Sequence, residues 1–261
     1  MAGSLPAICG GLRGVLVKVW VVLPAFNEGE NLPAVLDGLA AVLQRQGVYC
    51  IVVVDDGSAD ATRATALAYG GRLPVEVVSH ERNLGLARAI QTGLRAVVDR
   101  AQDEDIVVTM DADNTHPPEL INQMVEAIRR GADIVIASRY ASGGAEVGVP
   151  MLRRVLSVGI GMLMRLRFGL RGVRDYSSGY RAYRARLVRL ALDQFGAALV
   201  ESRGFAVMAE LLVKLAAFGP RVVEVPLGLR YDRKRGASKL RIFPTAADYV
   251  ALLLSSRPRV Q

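Results

Sequence analysis

The sequence predicts an α/β fold built on a doubly wound, mostly parallel sheet. Three observations carry that expectation. From residue 18 to 138, short Val- and Ile-rich runs alternate with stretches of helical periodicity, the pattern of repeated strand–helix–strand units. The runs are apolar throughout and do not alternate with polar residues, as expected of strands covered on both faces. Carboxylates stand where the runs end, at Asp55-Asp56 and at Asp111-Ala112-Asp113, and open α/β sheets bind their ligands at the C-terminal ends of strands.

Taken in order, residues 18–23 form the first strand, ending at Pro24-Ala25-Phe26-Asn27-Glu28. Leu32, Val35, Leu36, Leu39 and Leu43 are spaced for a helix over 31–46. Residues 50–54 are a second buried strand, and Asp60 is placed to cap a helix running to residue 69. A third strand over 75–79 leads through Asn83-Leu84-Gly85 to a helix over 86–98. The strand 106–110 follows, then a helix with Pro117 at its start, where proline is tolerated. Residues 133–137 are a fifth strand, closing at Ser138-Arg139-Tyr140.

Gly143, Gly144 and Gly148 mark a flexible join over 141–150. Residues 151–170 then form a helix with Met151, Leu152, Val155, Val158, Met162, Leu163 and Leu166 on one arc and arginines on the other. That separation fits a helix on an anionic membrane surface, and equally a helix packed on the sheet with a solvated Arg face. A strand over 180–183, helices to 194 and over 204–218, a strand over 221–229, a polar loop over 232–238 and an amphipathic helix over 243–254 complete the chain. The domain plan is a leader over 1–17, one large domain over 18–245 and a C-terminal amphipathic helix and tail over 243–261.

The charge is divided along the chain. Residues 1–138 hold 11 basic and 17 acidic side chains, whereas 139–261 hold 22 and 8. An acidic half followed by an arginine-rich one suggests a cation site facing an anionic partner. Nucleic acid is not expected, because the basic half lacks interleaved aromatics or a familiar reading module. The two cysteines, Cys9 and Cys50, have no metal spacing and imply a reducing compartment or simple burial. No apolar run reaches the ~18 residues needed to span a bilayer, so a soluble or peripheral protein is expected.

Asp111 and Asp113, one residue apart on an extended chain, point to the same side and would repel if left alone. A hard divalent cation with oxygen ligands, Mg²⁺ or Mn²⁺ holding a phosphate, resolves the repulsion. The plainer alternative is a solvated acidic turn. His116, before two prolines, reads as structural, and Glu210 as either a salt bridge at the core edge or a residue orienting an arginine.

Six motifs occur in sequence: Pro24-Ala25-Phe26-Asn27-Glu28, Asp55-Asp56-Gly57-Ser58, Asp111-Ala112-Asp113, Ser138-Arg139-Tyr140, Ser178-Gly179-Tyr180-Arg181, and Arg233 through Gly236 to Ser238-Lys239-Leu240. Together they resemble the inverting glycosyltransferases of family 2, with the Rossmann-like GT-A fold, and within them the dolichyl-phosphate mannosyltransferase group. The resemblance covers residues 18–245 and implies one catalytic domain there, with 18–140 as the nucleotide-sugar half and 141–245 as the acceptor half. It implies that Pro24, Phe26 and Glu28 hold the base and ribose of a nucleotide-sugar donor, with Phe26 where the family usually has Tyr. It implies further nucleotide contacts at Val54 and Asp56, and a sugar-nucleotide and metal site at Asp111, Ala112 and Asp113. Arg139, Arg233 and Lys239 match cationic contacts to donor and acceptor phosphates, and Thr115 stands where the family often has a Gln metal ligand. The expected catalytic set is Asp111, Asp113, Arg139 and Arg233, with Mg²⁺ or Mn²⁺ as cofactor.

The implied reaction transfers a hexose, mannose from GDP-mannose first and glucose from UDP-glucose second, to a polyprenyl phosphate. A phosphomonoester is already largely dianionic at pH 7, so such an acceptor needs cations more than a general base. The expected setting is the cytoplasmic face of a membrane, with an anionic lipid surface as partner and room for a separate membrane-anchoring protein. Two alternatives stand beside it: the same fold with a soluble acceptor, and a non-catalytic binding protein with a basic docking face.

Overall fold

The computed structural model describes residues 17–202, 204, 206–236 and 242–254. The leader up to residue 16, Cys9, Lys239 and the tail after residue 254 lie outside the described residues. The chain runs β1 (Val19–Ala25), α1 (Leu32–Leu43), β2 (Tyr49–Asp55), α2 (Thr62–Gly70), β3 (Val75–Ser79), α3 (Leu86–Val98), β4 (Ile106–Thr109), α4 (Leu120–Arg129) and β5 (Ile134–Ser138). It continues as β6 (Ala145–Val147), α5 (Met151–Phe168), β7 (Arg181–Arg184), α6 (Ala185–Phe195), α7 (Val207–Ala216), β8 (Val222–Pro226), β9 (Gly228–Arg230) and α8 (Ile242–Leu254).

Seven strands make the main sheet in the order β3-β2-β1-β4-β7-β5-β8. All neighbours are parallel except β7, which runs antiparallel to both β4 and β5. The expected mostly parallel sheet is what the chain forms. Alternate strand residues enter opposite layers: Trp20, Val22, Val52 and Val107 pack with Ile90, Leu94, Leu187 and Leu211, while Val21, Leu23, Val53 and Val108 pack with Leu36, Leu39, Ile121 and Met124. Val21, Val22 and Leu23 are completely buried, and burial of each such side chain contributes about 1.5–3 kcal/mol. This two-sided covering is why the strands read as continuous apolar runs.

Three expectations need correction. The helix after the Asp111 strand starts at Leu120 and not at Pro117; the two prolines sit in a turn where Leu120 N–H donates to Pro117 O and Ile121 N–H to Pro118 O. The strand expected over 221–229 is two strands. Leu227 N–H still donates to Ser138 O, but Ala145 N–H then donates to Leu227 O, so β9 leaves the main sheet and pairs with β6. The join expected to be flexible over 141–150 therefore contains a strand, formed because β9 offers it a parallel partner.

α5 is seated by a stripe outside the predicted apolar arc. Met164 and Phe168 are buried and Ile160 packs beside them, a stripe one helical turn apart that seats the helix. The predicted apolar arc remains in solvent, with Met151, Val155, Met162 and Leu166 between 60 and 82% exposed. Arg167 Nε donates to Leu253 O at 3.0 Å and ties α5 to α8. No helix among the described residues is long and apolar enough to cross a membrane.

Candidate active site

β4 delivers the acid pair. Met110 N–H continues the ladder to Val22 O, and Met110 and Ala112 are buried, which aims Asp111 and Asp113 out of the sheet's C-terminal edge. Thr109 Oγ1 donates to Gly179 O at 2.8 Å, bringing the chain before β7 directly under Asp111. A Cβ on Gly179 would lie 3.1 Å from Asp111 Oδ1, so a side chain there would displace the acid. Asn114 takes the left-handed conformation (φ 63°) that asparagine tolerates. The turn it makes returns Thr115 to Asp113, whose Oδ1 accepts Thr115 N–H at 3.2 Å and Thr115 Oγ1 at 2.7 Å.

His116 supports this turn. It is buried and stacks on Tyr180 with ring centroids 5.0 Å apart. Its Nδ1 accepts Asp111 N–H at 3.3 Å, and its Nε2 is 3.9 Å from Asp111 Oδ2. Asp111 keeps part of its surface, yet desolvation on the cleft floor pushes its pKa up; His116 opposes this, and Asp113 and Glu28 add to it. Burial would also raise Asp113, but the charges of Lys234 and His116 and the hydrogen bonds from Lys234 and Thr115 together outweigh it and hold the carboxyl below its ordinary value. Lys234 Nζ lies 2.6 Å from Asp113 Oδ2.

That ammonium is an observed cation at the carboxylate, so the site accepts positive charge. Among the described residues no group of three or more His, Cys, Asp and Glu side chains gathers as a metal site. A carboxylate pair alone suits Mg²⁺ or Mn²⁺, which take one or two carboxylates and complete their shell with water and substrate phosphates. The residues present fit such an ion. The Thr115 hydroxyl donates to Asp113, leaving its oxygen lone pairs for a water or an ion.

The loops after β1 and β2 are laced together beside the acids. Asn27 N–H donates to Ser58 Oγ and Asn27 Oδ1 accepts Ala59 N–H, both at 2.9 Å. Glu28 N–H donates to Thr62 Oγ1 at 2.8 Å, and Glu28 Oε2 accepts Asn31 Nδ2 at 2.7 Å. Pro24 and Phe26 are half-buried, whereas Val54 is buried within β2. Asp56 is buried too. Its carboxylate accepts Leu84 N–H and Gly85 N–H at 2.9 and 2.8 Å and pairs with His80 Nδ1 at 2.7 Å, holding the 83–85 loop. Gly57 brings that loop close: at φ 68°, a Cβ would fall 2.3 Å from the Arg82 carbonyl carbon.

Arg139 follows β5 and is spent within the protein. Nε and Nη2 fork onto Asp175 at 2.8 Å each, Nη2 also donates to Ser177 Oγ at 2.6 Å, and Nη1 to Glu146 Oε1 at 3.2 Å. Arg233 is exposed on a 3-10 turn, Tyr231–Arg233. The fold thus brings Asp111, Ala112, Asp113, Thr115 and Glu28 to one cleft with Lys234, and keeps Val54 and Asp56 in the supporting layer. Glu210 accepts Glu201 N–H, Ser202 N–H and Lys214 Nζ, so it clamps the 201–202 backbone.

Sequence reasoning missed Asp175, Asn31 and Lys234. Asp175 had a signal, the Asp-x-Ser-Ser turn in which its Oδ1 accepts the amides of Ser177 and Ser178. Lys234 had none, because it lies 121 residues from Asp113.

A family model for glycosyl transferase family 2 matches residues 20–190. The chain is 37% identical over 227 residues to a dolichol-phosphate mannosyltransferase of Pyrococcus furiosus, covering 86% of this chain and 60% of that one. It thus spans less than two thirds of that relative. It is 35% identical over 225 residues to an undecaprenyl-phosphate mannosyltransferase of Micrococcus luteus, covering 86% of this chain and 88% of the relative. Among solved structures it is similar to glucosyl-3-phosphoglycerate synthase of Mycobacterium tuberculosis, in complex with Mn²⁺, UDP and glucosyl-3-phosphoglycerate. That similarity has a TM-score of 0.67 at 25% identity and covers 94% of this chain and 81% of that one. With the acid pair at the end of a central parallel strand and most of its length matched, the chain belongs to glycosyl transferase family 2 and is a glycosyltransferase.

Proposed function

We propose that the protein transfers mannose from GDP-mannose to a polyprenyl phosphate at a membrane surface, assisted by Mg²⁺ or Mn²⁺. The transfer is inverting: an acceptor phosphate oxygen attacks the anomeric carbon as its bond to the diphosphate breaks. The names of the two relatives, both mannosyltransferases acting with a polyprenyl-type phosphate, support the sugar and the acceptor class. The observation that carries the reading is the exposed apolar arc of α5, flanked by the exposed Arg154, Arg165, Arg171 and Arg174. A lipid tail and an anionic headgroup layer would meet apolar and cationic surface together.

In this reading Asp111 and Asp113, with Thr115 through its hydroxyl, hold the ion, which when bound neutralises charge on the departing nucleoside diphosphate. Pro24, Phe26 and Glu28 hold the base and ribose. Val54 and Asp56 shape the wall behind them, with Asp56 acting through the 83–85 loop. Arg233, exposed beside the cleft, and Lys239 are assigned to the phosphates. A phosphate contact from Arg139 would exchange one of its bonds to Asp175, Ser177 or Glu146. No general base is required, because the acceptor arrives ionised. The cytoplasmic leaflet is the proposed setting, with a membrane-anchoring protein as an optional partner.

The alternative is a soluble phosphorylated acceptor with UDP-glucose as donor, favoured by the Mycobacterium tuberculosis neighbour, whose complex holds UDP and glucosyl-3-phosphoglycerate. The test is a donor and acceptor matrix: GDP-mannose or UDP-glucose against a short polyprenyl phosphate or 3-phosphoglycerate, with Mn²⁺ or with chelator. Mannosyl transfer to the lipid in Mn²⁺, abolished by chelator, is expected. Transfer to 3-phosphoglycerate alone would overturn the acceptor, and full activity in chelator would overturn the metal.

A further inference from the structure

The segment after β9 is fastened over the acid pair at three places. Arg230 N–H donates to Thr115 O at 3.0 Å, anchoring its start. Lys234 then reaches inward. Its Nζ lies 2.6 Å from Asp113 Oδ2, with 11% of the Lys234 side chain and 13% of that of Asp113 exposed. One residue later the Asn31 amide grips the Arg235 backbone from both sides: Nδ2 donates to Arg235 O and Oδ1 accepts Arg235 N–H, each at 3.0 Å. Nδ2 also donates to Glu28 Oε2, so one side chain links this segment to the loop after β1.

Two cations cannot share one carboxylate oxygen at contact distance without strong repulsion. We infer that Lys234 is a built-in competitor for the divalent ion: the ammonium and the ion exchange on Asp113, and the exchange frees residues 231–236 from the cleft. The inference rests on the proposed metal role of Asp113. Lysine suits it better than arginine would. A compact ammonium on a flexible stem makes a point contact that can be withdrawn, whereas a guanidinium would fork onto the carboxylate and stay.

Two consequences follow from linkage. Cation binding must work against the latch, so the latched fraction lowers the apparent affinity in proportion. Reciprocally, the ion must open the segment by the same factor. Release would leave Lys234 beside Arg233 and Arg235, three cations at the mouth of a cleft that has just received a cation of its own. Such a cluster favours the arrival of a polyanionic diphosphate. The ion would thereby be admitted weakly alone and better with its nucleotide, which restrains binding of the bare metal.

The test titrates Mn²⁺ alone into the full chain, following free Mn²⁺ by electron paramagnetic resonance, for wild type, Lys234→Met and Asn31→Ala. Lys234→Met keeps the stem and removes the charge; Asn31→Ala loosens the grip and keeps the charge. Each variant should bind Mn²⁺ more tightly, by on the order of tenfold if the latch is closed ten times more often than open. Chymotryptic cleavage after Tyr231, mapped by mass, should accelerate in wild type when Mn²⁺ is added and be fast in Lys234→Met without it. Equal Mn²⁺ affinity in all three proteins, or weaker binding in Lys234→Met, would overturn the competitor role while leaving the metal reading intact. If none binds Mn²⁺ even with GDP present, the metal reading falls and this inference with it.

Discussion

The Asp175 carboxylate is completely buried and receives six donors: the Arg139 fork, the Arg139, Ser177 and Ser178 amides, and the Ser177 hydroxyl. Burial pushes its pKa up, but the Arg139 hydrogen bonds and charge outweigh this and hold it below the ordinary carboxylate value. Asp175→Ala removes the forked partner of a largely buried guanidinium, leaving it Glu146, and should cost up to about 3–5 kcal/mol of stability, read by urea denaturation. The sign with pH follows from the depressed pKa. Stability from this group is fully present above about pH 4, the unfolded value, and is lost as pH falls through the lower folded value. Acid unfolding of Asp175→Asn should lack that component. At the acid pair the expectation differs in kind. Asp113→Asn should preserve the melting temperature within a few degrees and lower transfer by on the order of 10²–10³-fold, since on the proposed reading it removes a charged ligand of the ion that neutralises the departing diphosphate. Unchanged transfer by this variant would remove Asp113 from the reaction.

At the level of elements, α5 and α8 divide the work of packing and contact. α5 is seated by Met164 and Phe168 and held by the Arg167 bond to Leu253 O. Its outer arc contributes nothing visible to the core, so Met162→Gln with Leu166→Gln should change stability by less than about 0.5 kcal/mol. The same pair should weaken sedimentation with anionic vesicles. Arg154→Glu with Arg165→Glu should weaken it further and flatten its salt dependence. Arg167 is unsuited to that test because it also fastens α8. Equal vesicle binding by all these variants would remove α5 from the membrane contact. α8 is different: Tyr249 and Leu252 are buried in the core, and Asp248 Oδ2 accepts Gly204 N–H at 2.8 Å. Tyr249→Ala should cost about 3–5 kcal/mol, the range for deleting a buried aromatic ring, measured by thermal unfolding.

For the whole molecule, the elements legible in the sequence were those whose signal is local. β3 and α3 fall where periodicity placed them, over residues 75–79 and 86–98, because a valine-rich run and a single amphipathic stripe are written in consecutive residues. The acid pair was legible for the same reason: a buried strand ends and two carboxylates follow. What stayed hidden depends on partners distant in sequence. The antiparallel sense of β7 is set by its neighbours, and β6 exists because β9 pairs with it. The Arg139 network needs Asp175 and Glu146, and Lys234 meets Asp113 across most of the chain. Charge alone marked Lys234 as one of several cations, without saying which would turn inward.

β7 lies between β4 and β5, and this has a consequence for how the chain is made. When synthesis has reached residue 180, β5 has emerged, yet both its sheet neighbours, β7 and β8, are still to come. The open side of β4 is likewise waiting for β7. A nascent chain halted there carries the acid pair on a strand with one bare edge, a surface prone to wrong pairing. Ribosome-bound chains arrested at residue 180, just before β7 and with β5 clear of the exit tunnel, should therefore be cut readily by protease within residues 134–138, and the released full chain should not. The cleft at the acid pair would then come into being late and in one step, when a strand from the second half slides between two from the first.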